Sequence, residues 1–343
     1  MNIGSAEISL TPGAAPQLVP EPPLSIKRLT DADAVRWDRY VRSAPAATFC
    51  HQTAWIKVLE ETWRHRSHCL YAERAGEITG VLPLVHVESR LFGSMLVSTP
   101  NAVYGGPVAA DFATARALVE TARQLSNALQ VDYLELRAAG PTDDGAADRR
   151  QEAGCLLQNL YVSFDCGITP EEDGLMKSFP RDIRRMIRQG LKHGLTAELG
   201  REELLDDFYD VYAASVRNLG TPVFPKKFFA CFLRRFGNEC DILLIRQAGK
   251  VAGGVMNFYF RESVLPYYGG AYPEFYRTGI NNFMYWELMR SASARGFRTF
   301  DFGRSKRGTG SYEFKRGWGM RERPLPYKFF LVRSKEMPNL NPT

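Results

Sequence analysis

What the sequence lacks narrows it first. No run of about 18 uncharged apolar residues occurs, so no segment reads as a membrane-spanning helix. The N-terminus has no basic-then-apolar stretch with a cleavage site, so a signal peptide is not expected and the cytoplasm is the expected location. The cysteines (Cys50, Cys69, Cys155, Cys166, Cys231 and Cys240) are scattered singly without a CxxC pair, and the histidines show no ligand spacing. No metal site and no disulfide framework is expected, only reduced, mostly buried thiols. GxSxG, P-loop, GxGxxG and HExxH patterns are missing too. That disfavours a serine hydrolase, an ATPase and a zinc hydrolase.

What remains is an ordinary soluble composition, 45% hydrophobic and 24% charged over 343 residues, a length that suits two domains. The net charge of +6 is unevenly placed. Residues 304–335 hold ten Lys/Arg against Glu313 and Glu322, or +8, and residues 181–193 hold five against Asp182, or +4. The rest of the chain is therefore −6 (6 − 8 − 4). Two short basic segments point to an anionic partner, or else to two solvated faces.

Residues 1–24 are rich in Pro, Ala, Gly and Ser and read as a disordered tail. A weak internal repeat organises the body. Ala75–Gly80 matches Ala248–Gly253 at an offset of 173, Tyr104-Gly105-Gly106 matches Tyr268-Gly269-Gly270 at 164, and Leu134-Glu135-Leu136 matches Phe300-Asp301-Phe302 at 166. Each copy reads as a helix (31–43; 202–217), a strand-turn-strand (69–74 and 78–88; 241–247 and 251–261), a Tyr-Gly-Gly element, a longer helix (112–129; 280–295) and a buried strand (133–137; 299–303). The fold class expected is α/β (α+β): two domains, 25–160 and 161–335, each a mixed, mostly antiparallel sheet flanked by helices.

Candidate chemistry gathers in the second copy. Arg277-Thr278-Gly279-Ile280-Asn281-Asn282 runs into a helix, and a helix N-terminus with Arg and Gly suits a phosphate. Asp301 ends a buried strand beside Arg304 and Lys306. It is either a base for an amine or hydroxyl, or a structural salt bridge to an arginine. Tyr312-Glu313-Phe314-Lys315-Arg316-Gly317 sets cations among aromatics, where a lysine can stabilise an oxyanion or grip a phosphate. Helix 181–194 sets Ile183, Met186, Ile187 and Leu191 on one face and Arg184, Arg185, Arg188 and Lys192 on the rest. It is an ordinary surface helix or an anion contact. Gln52 and Trp55 read as capping and packing.

Together, Phe49…Gln52…Trp55, the basic helix, Tyr268-Gly269-Gly270, Arg277-x-Gly279-x-Asn281, Phe300–Arg304 and Tyr312-x-Phe314-Lys315-x-Gly317 resemble the FemAB family, two-copy members of the GNAT acyltransferase superfamily. In particular they resemble FemAB-like proteins associated with exosortase/PEP-CTERM systems among exopolysaccharide genes. The resemblance spans residues 25–330. It implies tandem GNAT-like domains and an enzyme that moves an acyl or aminoacyl group from an activated thioester or ester onto an amine or hydroxyl. The acceptor implied is a glycan- or peptide-type cell-envelope or exopolysaccharide precursor. No bound cofactor is implied; the donor is acyl-CoA or aminoacyl-tRNA, which makes tRNA a candidate partner.

The resemblance places Phe314 and Lys315 at the transfer site, with Lys315 on the oxyanion. Asp301 is the base or amine-orienting group. Arg277, Asn281, Asn282, Arg304, Arg316 and the arginines 184, 185 and 188 hold phosphates or substrate, and Tyr268 and Tyr312 shape the channel. The chain departs from the pattern in two places. It has no coiled-coil insertion, and Arg277-x-Gly279-x-Asn281 is one residue shorter than the Arg/Gln-x-x-Gly-x-Gly/Ala loop of acetyl-CoA enzymes. A catalytically inactive pair of GNAT domains, acting as a scaffold in an assembly system, is the alternative. A plain RNA-binding protein is disfavoured, since the basic segments lack an aromatic platform.

Overall fold

The computed structural model describes residues 22–89, 93–140 and 154–337. The expected N-terminal tail falls almost wholly outside them, as does most of the polar loop between the copies. In chain order the first half comprises β1 (Ser25–Arg28), α1 (Ala34–Ser43), α2 (Thr53–Trp63), β2 (Arg66–Ser67), β3 (Leu70–Arg74), β4 (Glu77–Leu82), β5 (Val85–Ser89), β6 (Gly93–Val97), β7 (Val108–Ala109), α3 (Phe112–Ala128) and β8 (Tyr133–Leu136). Then come β9 (Cys155–Gly167), α4 (Glu172–Ser178), α5 (Arg181–Lys192), β10 (Leu195–Gly200), α6 (Leu205–Asn218), α7 (Lys226–Phe236), β11 (Cys240–Gln247), β12 (Lys250–Phe260) and β13 (Ser263–Ala271). The chain closes with α8 (Ile280–Ala294), β14 (Thr299–Lys306), α9 (Gly310–Arg316) and β15 (Arg321–Leu331).

The repeat is visible in backbone detail. Hairpins β3–β4 and β11–β12 turn on Ala75-Gly76 and Ala248-Gly249, and all four turn residues have positive φ (48°, 83°, 47° and 79°). That is the mirror-image turn that suits right-twisted strands. Both copies carry one parallel pair, β6–β8 and β13–β14, among otherwise antiparallel ones.

The copies then diverge. The stretch 78–88, expected as one strand, breaks at Pro83, which has no N–H for a ladder. Strand β4 joins a small sheet, β1-β3-β4-β7, while β5 joins the large one. Among the described residues that large sheet runs β10-β11-β12-β13-β14-β9-β15-β8-β6-β5-β2, through both halves of the chain. Two strands weld it. Strand β9 continues across residue 160, and β15 pairs with β9 on one side and with first-copy β8 on the other.

An aromatic core binds the copies across α2 and α7. Trp55, fully buried, packs 4.8 Å from Phe232, 5.6 Å from Tyr267 and 5.8 Å from Phe258, and Phe49 stacks on Phe258 at 4.7 Å. Arg261 reaches back to the carbonyls of Ala44, Pro45 and Ala47. Gln52 and Trp55 thus serve packing: the Gln52 amide donates to Glu239 at 2.9 Å.

Candidate functional site

The site lies where β13 and β14 part. They pair at only two registers, Ser263↔Thr299 and Val264↔Phe300. Beyond these the strands separate around a cavity of about 350 Å³, walled by Tyr267, Tyr268 and Gly269 on one side, Phe302, Gly303 and Arg304 on the other, and Tyr285 and Lys315. The register of β14 against β9 slips between Asp301 and Arg304, with Gly303 at φ +65°. This bulge takes the local backbone out of the ladder and re-aims the groups around it.

Lys315, on the short helix α9, meets the bulge. Its ammonium donates to the carbonyls of Phe302 (2.5 Å), Arg304 (3.2 Å) and Gly303 (3.4 Å) while its side chain lines the cavity. Burial, opposed by Asp301, brings its pKa down to about 8. The side chain therefore clips the bulge and sets a positive charge on the cavity wall.

Asp301 does not bridge to an arginine. One carboxylate oxygen accepts from the Tyr104 hydroxyl at 2.6 Å and the other from the Gly303 N–H at 2.7 Å. Burial pushes its pKa up to about 6 against these two bonds, with Asp165 raising it further. Asp165 sits opposite on β9 and is held by buried Arg323 and by Arg321. Asp301 also lines a second, smaller cavity of about 160 Å³ between the copies, with Thr48, Phe49, Tyr104, Phe258 and Arg261.

The first copy completes the site. Its segment 101–104 places Asn101 and Val103 in the cavity wall. The Asn101 carbonyl accepts from Tyr267 (3.0 Å) and Tyr268 (3.4 Å), and the Val103 carbonyl accepts from Tyr327 (2.9 Å). Arg304 donates to that same Tyr327 hydroxyl at 3.1 Å and lies over the Tyr161 ring. Sequence reasoning matched Tyr104-Gly105-Gly106 to Tyr268-Gly269-Gly270 but gave Tyr104 no role. The repeat itself was the available signal. For Asn101, Tyr267, Tyr285 and Asp165 no local signal existed.

The fold brings Lys315, Tyr268 and Arg304 to the cavity wall, with Phe314 packed behind Phe302 and Tyr285, while Asp301 lines the smaller cavity beside it. Other expected residues stand elsewhere. Tyr312 does not line the cavity, since its hydroxyl donates to Glu322 at 2.9 Å. Arg316 pairs with Glu313 at 2.6 Å on the surface. Arg277 sits in the 3-10 turn Pro273–Thr278 and Asn281 and Asn282 at the start of α8, all outside the cavity wall. Gly279, which precedes that helix at φ +81°, faces the Met186 carbonyl of α5 so closely that a Cβ would stand 2.5 Å from it. Arg184, Arg185 and Arg188 therefore lie on a helix packed over this junction and not in the cavity.

Four of the ten cations of the basic C-terminal segment are held in further internal pairs: Arg307–Glu322, Arg321 and Arg323 with Asp165, and Arg333–Asp132. Leu191, expected on the apolar face of α5, is 53% exposed. Among the described residues no cluster of metal-ligating side chains occurs, and no helix is long and apolar enough to cross a membrane.

A parallel strand pair splayed around a cavity, with α8 connecting its two strands, is the feature to set beside known proteins. A family model described as "Acetyltransferase (GNAT) domain" matches residues 177–316. Solved structures extend the likeness over both copies. A protein titled FemX aligns with a TM-score of 0.72 at 15% identity, over 90% of this chain and 98% of its own. The C-terminal domain of a putative lysylphosphatidylglycerol synthetase from Agrobacterium fabrum aligns at 0.59 and 13%, over 87% and 91%. A tandem GNAT protein from the clavulanic acid biosynthesis pathway aligns at 0.56 and 11%, over 92% and 100%. No curated protein matches the chain. The second half thus holds a GNAT domain, and the whole chain has the fold of tandem GNAT proteins.

Proposed function

We propose that the protein is an acyltransferase of the FemAB type. It moves an acyl or aminoacyl group from a thioester or ester donor onto an amine or hydroxyl of a cell-envelope or exopolysaccharide precursor. The observation that carries this reading is the cavity between β13 and β14, with the Lys315 charge on its wall and the Asp301 carboxylate buried behind the bulge. The resemblance in sequence to FemAB-like proteins of exosortase/PEP-CTERM systems supports the acceptor class.

Such a transfer needs no enzyme nucleophile. The acceptor nitrogen or oxygen, entering from the smaller cavity that Asp301 lines, attacks the carbonyl of a donor held in the larger one; its proton passes to Asp301, and the carbonyl oxygen gathers negative charge toward Lys315. The leaving thiolate or alkoxide then takes a proton. Tyr268 and Arg304 position the donor, and holding the two reactants in cavities that adjoin at Leu265 supplies much of the rate. Acyl-CoA and aminoacyl-tRNA are the two donors proposed. The short Arg277–Asn281 loop under α5 favours a donor not gripped by the usual pyrophosphate loop.

Native mass spectrometry of the purified protein with acetyl-CoA, longer acyl-CoAs and charged tRNA tests the donor. A retained donor that is lost on Lys315→Ala supports the reading. Retention of none favours a second reading, an inactive scaffold, for which the occupation of all three Lys315 donors by carbonyls speaks.

A further inference from the structure

The basic helix α5 is left over by the transfer site. Arg181, Arg185, Arg188 and Lys192 follow one another at i, i+4, i+7 and i+11, a single stripe along the helix. The opposite stripe, Ile183, Ile187 and Gly190, is buried, and Gly190 meets the Phe283 ring of α8. All four cations of the outer stripe are exposed. Beside the stripe stand Leu191, 53% exposed, and Arg184, whose Nε is buried with no hydrogen-bond partner.

The 3-10 turn Pro273–Thr278 adjoins α5 through a bond from the Gln189 side chain to the Arg277 carbonyl. It adds exposed Arg277 and Tyr276, the latter 47% exposed. Across α5 and this turn, six cations face only Asp182 and Glu274. Asp182 stands 3.6 Å from Arg185 at the helix start.

We propose that this face docks the protein on a bilayer carrying anionic phospholipid. Cations in one stripe, interleaved with an exposed leucine and tyrosine, match a surface of phosphates over an apolar layer. A nucleic acid would use the cations and could stack a base on Tyr276, but it leaves the exposed Leu191 unexplained. The placement also suits the molecule. Helix α5 packs on the first turn of α8, and Tyr285 of the cavity wall lies about 7.5 Å along that helix from its first residue, Ile280. The proposal stands apart from the acyl-transfer reading, since an inactive scaffold would dock in the same way.

Sedimentation of the full-length protein tests it, with vesicles of phosphatidylcholine alone and of phosphatidylcholine and phosphatidylglycerol in equal parts. The wild type is expected to bind the mixed vesicles only and to be released by salt, as exposed charge pairs are. R181E/R185E/R188E/K192E is expected to lose at least about a thousandfold in partitioning. R181K/R185K/R188K, with the charge kept, retains binding, and L191S/Y276S weakens it severalfold. Circular dichroism confirms that each variant is folded, and the salt release of the wild type needs no variant. Wild-type protein that ignores the mixed vesicles, or binds them equally with the stripe reversed, overturns the proposal. So does L191S/Y276S binding as well as wild type. Retention of bulk tRNA without vesicle binding would assign the face to nucleic acid instead.

Discussion

The hydroxyl of Tyr104 donates to the carboxylate of Asp301 at 2.6 Å, across 197 residues of sequence and between the two copies of the fold. Both side chains are buried. The bond holds the carboxylate in one orientation and stabilises its charged form against burial. A residue of the first copy thereby tunes the proposed base of the second.

Tyr104→Phe should leave the fold intact and raise the Asp301 pKa above its value of about 6. A hydrogen bond to a charged group contributes ~1.5–3 kcal/mol, so the rise should be about one to two units. The acidic limb of the pH–rate profile would move up by that amount. A limb that stays in place would show that Asp301 does not govern the rate.

With Asp301 ionised and Lys315 protonated in the active form, the rate should follow a bell with limbs near 6 and near 8. Asp301→Asn should abolish the acidic limb along with most activity, and Lys315→Met the basic one. The stability signs follow from the same shifts. The folded pKa of Asp301 is raised, so its ionisation costs stability as pH rises from the ordinary carboxylate value to about 6. The folded pKa of Lys315 is depressed, so stability returns as pH rises through about 8 toward its ordinary value. Denaturant melts across this range, in wild type and in each variant, read both signs.

Asp165→Asn leaves the buried guanidinium of Arg323 short of its counter-charge. Breaking one partner of a buried pair costs ~3–5 kcal/mol. Because Asp165 raises the Asp301 pKa, the same change should lower the acidic limb of the pH–rate profile. Thermal melts combined with that profile check both effects in one protein.

Trp55→Ala opens a cavity in the aromatic core between the copies. A fully buried tryptophan truncated to alanine costs ~3–5 kcal/mol. Since its ring packs on Phe232, Phe258 and Tyr267 of the second copy, both copies should lose stability together in one transition. Calorimetry that showed two transitions, only one of them shifted, would mean that the copies fold independently.

Much of the architecture was legible from local pattern. Helical spacing placed α3 and α8 within a residue and α6 within three, and the Ala-Gly turns located both hairpins. These features arise from interactions among near neighbours in the chain, which composition and period report directly. The turn residues also revealed the duplication, and with it the fold class. Lys315 and Asp301 were visible because each stands in a short pattern of its own.

Contacts between distant residues set the rest. Tyr104 reaches Asp301 and Arg323 reaches Asp165 only because β15 and β9 weld the two copies into one sheet. The C-terminal arginines looked like an anion site because a sequence shows charge without showing its partner. Glu322, Asp165 and Asp132 pair with four of the six once the strands meet, two of them sharing Asp165. The cations of α5 stayed exposed for the converse reason: its apolar stripe packs on α8 and turns the basic stripe outward. A side chain's type is a property of the chain, but its neighbours at 3 Å are chosen by register and packing, and these exist only in the folded molecule.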